Sequence, residues 1–257
     1  MTMKFVRAAA LGILVCLLVF GAAAQRSDRS IDDEARANTS AAESNAHVSR
    51  LPVRSLLYPG ATTKIYVRVM PWFGDSKHVQ VGYHSDDPGQ IASQVQDMMS
   101  RGIDAAIVDW YGPDHGVSSQ ATDRLFKESE ARGFGFGVSV DGGPIKECQK
   151  KGCDVTGFVL SELKYAEKNY EDSNVYVRWN NRPLVFFFDG DKYPVDWNYV
   201  RSNLRLNPMF IFRNSGAFDS RNDDGAFSWL APETVNGSDP EGLQYLERFY
   251  SRAQRSP

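Results

Sequence analysis

The sequence predicts an α/β protein of the (β/α)8 TIM-barrel type, with about six strand–helix units present. Runs of β-branched and aromatic residues recur between residues 64 and 250, and most are followed by a segment with helical apolar spacing. Several runs are apolar throughout, as in parallel strands covered on both faces. The first strand-to-helix connection is long and lacks the Gly-rich turn that open, doubly wound sheets use to bind nucleotides. Such an open sheet is the alternative architecture.

Residues 1–24 have the composition of a secretory signal peptide. Lys4 and Arg7 form a positive start, residues 8–20 are apolar, and small residues at 22–24 provide a cleavage site. The alternative is an uncleaved membrane anchor, but an apolar run of about 13 residues is short for a bilayer. We therefore expect a secreted or periplasmic protein with no membrane attachment after cleavage.

Residues 25–58 are predicted to be a disordered linker, since they are rich in small and polar residues and have no apolar periodicity. Residues 59–257 are predicted to form the folded domain. Closed eight-stranded barrels average about 250 residues, so we expect a barrel shortened at its C-terminal side. In such a barrel the strands holding Ile65 and Phe227 would each keep one unpaired edge, unless another chain covers it. The sequence does not predict an oligomeric state.

The predicted strands follow one another at regular intervals. In chain order they are residues 65–72, 105–110, 134–141, 183–189, 209–213 and 226–229. The first helix begins with an Asp87 cap, a proline at the next position and Gln90 three residues after the cap, and it ends at Gly102. The second covers about residues 119–132 and ends at Gly133. Residues 239–242 repeat the start signal before a last helix.

Three of these strands have an aspartate at or next to their last residue. The strand ends are Asp109, next to Trp110 and Tyr111, then Asp141 and Asp189. In a barrel they share the C-terminal rim, where active sites lie. Carboxylates beside aromatic rings are typical of sugar sites, because they accept hydroxyl hydrogen bonds and perform acid/base chemistry while rings cover the apolar sugar face. We predict these aspartates as catalytic; the alternative is that each caps a loop or helix.

Further residues are predicted to bind the sugar. Trp72 and Trp229 end strands at the same rim, as Trp110 and Tyr111 do, and His84 lies in the loop after the first strand. Trp197, in contrast, occupies the apolar face of a short helix and is predicted to belong to the core. The predicted sugar-binding residues are therefore Trp72, His84, Trp110, Tyr111 and Trp229.

Several functions are disfavoured by what the sequence lacks. Lys plus Arg total 29 against 32 for Asp plus Glu, giving a net charge of −3, which is a poor basis for binding nucleic acid. There is no phosphate-binding loop and no serine-hydrolase elbow. The rim-loop candidates for metal ligands match no compact ligand spacing: His78, His84, His115, Asp86 and Asp114. No metal, cofactor or nucleic-acid partner is predicted.

Two cysteines outside the predicted signal peptide are close in sequence. Cys148 and Cys153 are separated by four residues in a predicted loop, and none of the four histidines lies near enough to suggest a shared metal. In an oxidising compartment such a pair forms a local disulfide. Free thiols are the alternative.

Three segments resemble the barrels of glycoside hydrolase families 71 and 99. They are Met-Pro-Trp-Phe at 70–73, the loop at 81–88 and, most specifically, Gly-Ile-Asp-Ala-Ala-Ile-Val-Asp-Trp-Tyr-Gly at 102–112. The resemblance implies a (β/α) barrel that hydrolyses α-mannosides with retention (family 99) or α-1,3-glucans with inversion (family 71). The family 99 acid/base segment, Trp-Asn-Glu-Trp-x-Glu, has no counterpart in this sequence. We therefore expect a secreted glycoside hydrolase-like protein for an α-linked glycan, with a non-catalytic glycan-binding barrel as the alternative.

Overall fold

Six parallel strands form a sheet that curls into half of a barrel. The computed structural model describes residues 51–76, 78–219, 223–230, 239 and 242–255; the predicted signal peptide and residues 25–50 of the predicted linker lie outside these ranges. The strands are β1 (Tyr66–Val69), β2 (Ala105–Trp110), β3 (Gly135–Asp141), β4 (Arg178–Trp179), β5 (Arg182–Phe188), β6 (Met209–Arg213) and β7 (Gly225–Phe227). The parallel order is β1-β2-β3-β5-β6-β7, and the short β4 pairs antiparallel with β5.

The helices alternate with these strands. They are α1 (Pro88–Ser100), α2 (Gly116–Arg132), α3 (Gly142–Lys150), α4 (Val155–Ala166), α5 (Trp197–Ser202) and α6 (Leu243–Ala253). A π-helical turn, Glu167–Glu171, extends α4, and short 3-10 turns lie at Val53–Leu56, Gly190–Lys192 and Ser215–Asp219. The prediction of an incomplete (β/α) barrel with about six units is confirmed. Within the described residues, no helix is long and apolar enough to cross a membrane.

Local signals fix the start of the first helix and the end of the second as predicted. The Asp87 side chain accepts a hydrogen bond from the Gln90 amide at 2.7 Å, with proline at the first helical position. Gly133 ends α2 in the left-handed conformation at φ 64°, where a residue with a Cβ would be strained. Helix α2 begins three residues earlier than the pattern predicts, at Gly116.

Other boundaries differ from the prediction for local reasons. Helix α3 was not predicted, because it opens with Gly-Gly-Pro and is short. Strand β4 was not predicted either; it joins β5 through Asn180 and Asn181, both at positive φ, a two-residue hairpin turn. The last helix begins at Leu243, later than the start signal predicts. The Asp239 carboxylate still accepts hydrogen bonds from amides in its first turn, at 3.2 and 3.1 Å.

The two faces of the sheet have different surroundings. In parallel pairing, residues in register point to the same side, and successive residues alternate. Phe136 of β3 packs against Tyr170 after α4, and Phe187 of β5 packs against Trp197 of α5. These two residues, and the strand residues that point to the same side, therefore face the helices. Members of that set are fully buried: Val108, Phe136, Val138, Val185, Phe187 and Phe210. Trp197 is a core residue, as predicted. The alternate residues face the concave interior of the half-barrel, where the strand-end carboxylates lie.

The two outer strands each have one strand partner among the described residues. Strand β1 pairs with β2, and β7 pairs with β6. This agrees with the expectation that the strands near Ile65 and Phe227 keep one unpaired edge. Arg68 and Val69 of β1 also line a groove.

Residues 51–58 of the predicted linker pack against the folded domain. The Val53 amide donates to the Arg101 carbonyl at 2.7 Å, and Arg54 forms an ion pair with Asp104, just before β2. The domain boundary at residue 59 remains a prediction. The disulfide is present between Cys148 and Cys153, with 5.3 Å between their Cα atoms. Cys148 lies in the last turn of α3 and not in a loop, because the unpredicted helix α3 extends through it.

A buried carboxyl group lies at the π-helical turn after α4. Glu171 is 1% exposed, and its Oε2 atom has no hydrogen-bond partner among the described residues. Burial, followed by the nearby Glu167, raises the pKa of Glu171 from 4.5 to about 8, although Arg178 opposes the shift. The folded protein therefore holds a proton there that the unfolded chain releases near pH 4.5.

Because the folded protein must keep this proton on Glu171, we expect Glu171→Gln to stabilise the protein at alkaline pH. The free energy of unfolding of the wild type should fall as pH rises from about 5 to 8, since folding takes up a proton in that range. The variant should be more stable by on the order of 2–4 kcal/mol at pH 9 and nearly equal at pH 4.5. Thermal unfolding across pH measures the difference, with the exposed Glu147→Gln as control. If the difference in unfolding free energy between Glu171→Gln and the wild type does not grow with pH, Glu171 does not hold a proton in the folded protein.

Candidate active site

The centre of the concave face is a buried ion pair between neighbouring strands. Arg68 of β1 is in register with Ile107 of β2, so Asp109 lies two residues further along the same face. The long arginine side chain spans that distance and forms an ion pair with the Asp109 carboxylate. Asp109 is 2% exposed, and the Arg68 Nε atom is buried without a hydrogen-bond partner in the described part of the chain.

Asp109 holds a proton in the neutral pH range. Burial, together with the charge of Asp141, raises the pKa of Asp109 from 3.8 to about 7. Arg68 and a hydrogen bond with Tyr111 pull in the opposite direction but do not outweigh burial. A carboxyl group with a pKa near 7 can act as a general acid under ordinary conditions.

Asp141 occupies the next strand end and also caps a helix. Its Oδ1 atom accepts a hydrogen bond from the Gly143 amide at 2.7 Å, at the start of α3. The capping role considered from the sequence is therefore present. Burial raises the pKa of Asp141, opposed by the Gly143 hydrogen bond and the positive charge of Arg68, while Asp189 raises it further. Asp141 lies close enough to both Asp109 and Asp189 to interact electrostatically with each of them.

Asp189 completes the row directly after β5. It adopts a positive φ of 67° and forms ion pairs with Arg213 of β6 and, at 2.9 Å, with Lys192. The guanidinium of Arg213 also lies over the Phe188 ring, 4.0 Å from its centre. Arg68 lies 4.2 Å from the same ring centre. Phe188 thus contacts both arginines, which pair with the first and third aspartates.

Aromatic side chains border the carboxylates on two sides. The ring of Trp72 meets Tyr111 edge-on at 6.1 Å and stacks on His78 at 5.0 Å. On the opposite side, Trp229 packs edge-on against Phe188 at 5.1 Å, and Arg68 lies 5.2 Å from its ring centre. The structure therefore brings Trp72, Tyr111 and Trp229 to the rim that holds the three aspartates.

Trp110 does not reach this rim, contrary to the prediction. It is 1% exposed, and its ring packs against Tyr165 and Tyr170 from α4 and the turn that follows it. The reason is the alternation of a β-strand: Asp109 points into the concave face, so its successor must point to the helices. His84 is exposed, in the loop after β1, with its ring against Gly74.

Three further residues belong to the site or adjoin it. Arg68 and Arg213 were not predicted, although a lone arginine inside an otherwise apolar strand is a signal for a buried acidic partner. Glu162 of α4 lies against Gly112, whose φ of 92° and missing Cβ leave room for the carboxylate. Burial and the nearby Asp114 raise the pKa of Glu162 to about 7. No local sequence pattern indicates that Glu162 adjoins the site, because it lies on a helix and not at a strand end.

The described residues contain no group of three or more His, Cys, Asp or Glu side chains placed to hold a metal ion. A protonated carboxyl, a neighbouring carboxylate and aromatic rings can bind a hydroxyl-rich ligand and transfer a proton to it.

Known structures share the fold at low sequence identity. Two structures of the GH99 endo-α-mannosidase from Bacteroides thetaiotaomicron, one in complex with bis-tris propane, superpose with TM-scores of 0.55 and 0.54 at 15% identity. A structure described as a glycoside hydrolase-like protein gives a TM-score of 0.52 at 14% identity. Each match covers 74% of this chain, and 64%, 67% and 64% of the respective known chains. The sequence matches no protein-family model and no curated protein. The chain therefore has a distant GH99-like fold.

We expect the loss of folding free energy on removing Arg68 to depend on pH, because Arg68 pairs with a buried carboxyl group. In Arg68→Met, the pKa of Asp109 rises further because the group that most lowers it is gone. At pH 8.5 the folded variant must then either bury an unpaired carboxylate or take up a proton that the unfolded chain does not hold, so we expect destabilisation of roughly 3–5 kcal/mol. At pH 5 the carboxyl is neutral and the loss should be much smaller.

Denaturant unfolding at both pH values measures this difference. The double variant Arg68→Met/Asp109→Asn should lose the pH dependence, and Arg205→Met, which removes an exposed ion pair with Asp172, should have little effect. An equal loss at pH 5 and pH 8.5 in the single variant would show that the charge of Asp109 does not depend on Arg68.

Proposed function

We propose that the protein is a secreted glycoside hydrolase that cleaves an α-linked glycan. The observation that carries the proposal is the juxtaposition, on adjacent strand ends, of Asp109, whose pKa is raised to about 7, and a second carboxyl group, Asp141. Glycosidases use such a pair: one carboxyl group protonates the leaving oxygen, and the other acts as nucleophile or base. The glycoside hydrolase-like fold supports the same reaction class.

Each residue has a role in this proposal. Asp109 is the general acid, since it retains a proton near neutral pH and Arg68 stabilises the carboxylate that remains after transfer. Asp141 is the second catalytic carboxylate. Asp189 accepts a hydroxyl hydrogen bond from the sugar while its ion pair with Arg213 fixes its orientation. Trp72, Tyr111 and Trp229 pack against the apolar sugar faces.

The proposed substrate is α-mannan or α-1,3-glucan. The resemblance of residues 102–112 to families 71 and 99 supports both, and the structural neighbours named as endo-α-mannosidases support the first. The two families differ in stereochemistry, which in ordinary mechanisms corresponds to carboxyl separations of about 5–5.5 Å for retention and 6.5–9.5 Å for inversion. Secretion is supported by the composition of residues 1–24 and by the disulfide, which persists in oxidising compartments.

A non-catalytic glycan-binding barrel is the second candidate. The observation that favours it is the number of structural contacts made by the same carboxylates. Asp109 pairs with Arg68, Asp141 caps α3, and Asp189 pairs with Arg213. A protein of this kind would bind the glycan through the aromatic rings and release no sugar.

Release of reducing ends from α-mannan and from α-1,3-glucan at pH 4–8 distinguishes the two candidates. We expect the wild type to release sugar from one of them, with a rate that falls as pH rises above about 7, because Asp109 then loses its proton. Asp109→Asn and Asp141→Asn should each lower the rate by at least about 100-fold.

The matched control is Asp191→Asn, which makes the same change at an exposed residue of the same rim. It should keep wild-type activity. Glycan binding to the wild type without release of sugar at any pH would establish the second candidate instead. Full activity in Asp109→Asn would remove that residue from the reaction.

A further inference from the structure

A second concave region adjoins the candidate active site along the open edge of β1. It is a groove of 580 Å³ between β1, helix α1 and the loop that connects them. This volume lies within the range of ligand-binding clefts, about 300–1,000 Å³. Arg68 lines the groove and also pairs with Asp109, so the groove adjoins the carboxylate site.

The helix presents hydrogen-bonding side chains to this groove. Gln90, Ser93, Gln94 and Asp97 follow one another at i, i+3, i+4 and i+7, the spacing of a single helix face. The neighbouring face of the same helix, with Ile91 and Val95, is apolar and buried against the sheet. Val69, Met70 and Met98 add apolar side chains to the lining, so the groove combines hydrogen-bonding and apolar surface. That combination suits a sugar, whose hydroxyl groups form hydrogen bonds and whose ring faces are apolar.

The opposite wall of the groove is aromatic. Reciprocal hydrogen bonds between Phe73 and Ser85, of 2.7 and 3.1 Å, close the base of the loop after β1. This turn sends consecutive aromatic residues to different sides: Trp72 contacts Tyr111 at the carboxylate site, and Phe73 lines the groove. Phe73 packs edge-on against Tyr83 at 5.5 Å, and the Tyr83 side chain forms a hydrogen bond with Gln94.

We propose that this groove binds the continuation of the glycan chain whose cleavage point lies at the aspartates, an inference that rests on the proposed function. Amide and carboxylate groups on one wall hydrogen-bond the sugar hydroxyls, and aromatic rings on the other cover the apolar faces. Strand β1 has no partner on this side among the described residues, so the chain can pass from the carboxylates over its edge. The protein therefore selects long chains over short ones.

The test compares oligosaccharides of two and of six sugar units, prepared from α-mannan and from α-1,3-glucan. The wild type should bind the longer oligosaccharide more tightly, measured by calorimetry. Gln90→Ala/Gln94→Ala removes two hydrogen-bonding groups and should weaken binding of the longer one by roughly tenfold, with little effect on the shorter. Tyr83→Phe, which removes one hydroxyl and keeps the ring, should have a smaller effect in the same direction.

The control is Gln120→Ala/Gln149→Ala, the same double change at exposed positions of α2 and α3. Equal affinity of the wild type for both lengths, or equal weakening by the two double variants, would overturn the groove assignment. If sugar is still released in that case, the proposed function survives without the groove. If the wild type neither binds nor cleaves any oligosaccharide, the proposed function itself fails. If instead the groove variant changes the oligomeric state in sedimentation, a second copy of the chain occupies the groove and the glycan assignment is wrong.

Discussion

The concave face depends on the ion pair between Arg68 and Asp109. Both side chains are largely withdrawn from water, and the ionised Asp109 carboxylate depends on Arg68 as its partner. The pair joins β1 to β2 on the side of the sheet that has no helices. It also places the arginine over the ring of Phe188, at the end of β5, and near Trp229. One cation thus connects the first strand to the fifth across the interior of the half-barrel.

The remaining charges of the site are arranged around this contact. Arg213 forms a similar contact from the opposite side. It lies over the same Phe188 ring and forms its ion pair with Asp189. Asp141 lies between the two pairs and feels the positive charge of both arginines. A row of three carboxylates in a partly buried concavity would repel strongly, and two arginines in contact with a shared ring reduce that repulsion. The apolar helix-facing core and the charged concave face are therefore separate layers of one sheet.

The sequence predicted the periodic features of the fold and the positions of the three aspartates. Strands and capped helices are local patterns, which is why α1 and the end of α2 agree with the structure. It did not predict α3, whose first turn consists of helix-disfavouring residues and is stabilised by the Asp141 side chain. Trp110 directly follows a candidate carboxylate in sequence, but strand alternation directs its ring to the helices and not to the rim. Arg68, Arg213 and Glu162 depend on which strands and helices become neighbours, and no local pattern contains that information.

Helix α3 is held at both of its ends by contacts within a short stretch of chain. The Asp141 carboxylate closes its first turn, and the disulfide between Cys148 and Cys153 ties its last turn to the segment that follows. The orientation of this carboxyl group is thus set by about a dozen consecutive residues and not by closure of the whole barrel. The position of this carboxylate therefore depends on one strand–helix unit, and changes at the far edges of the sheet leave the contacts that orient it in place.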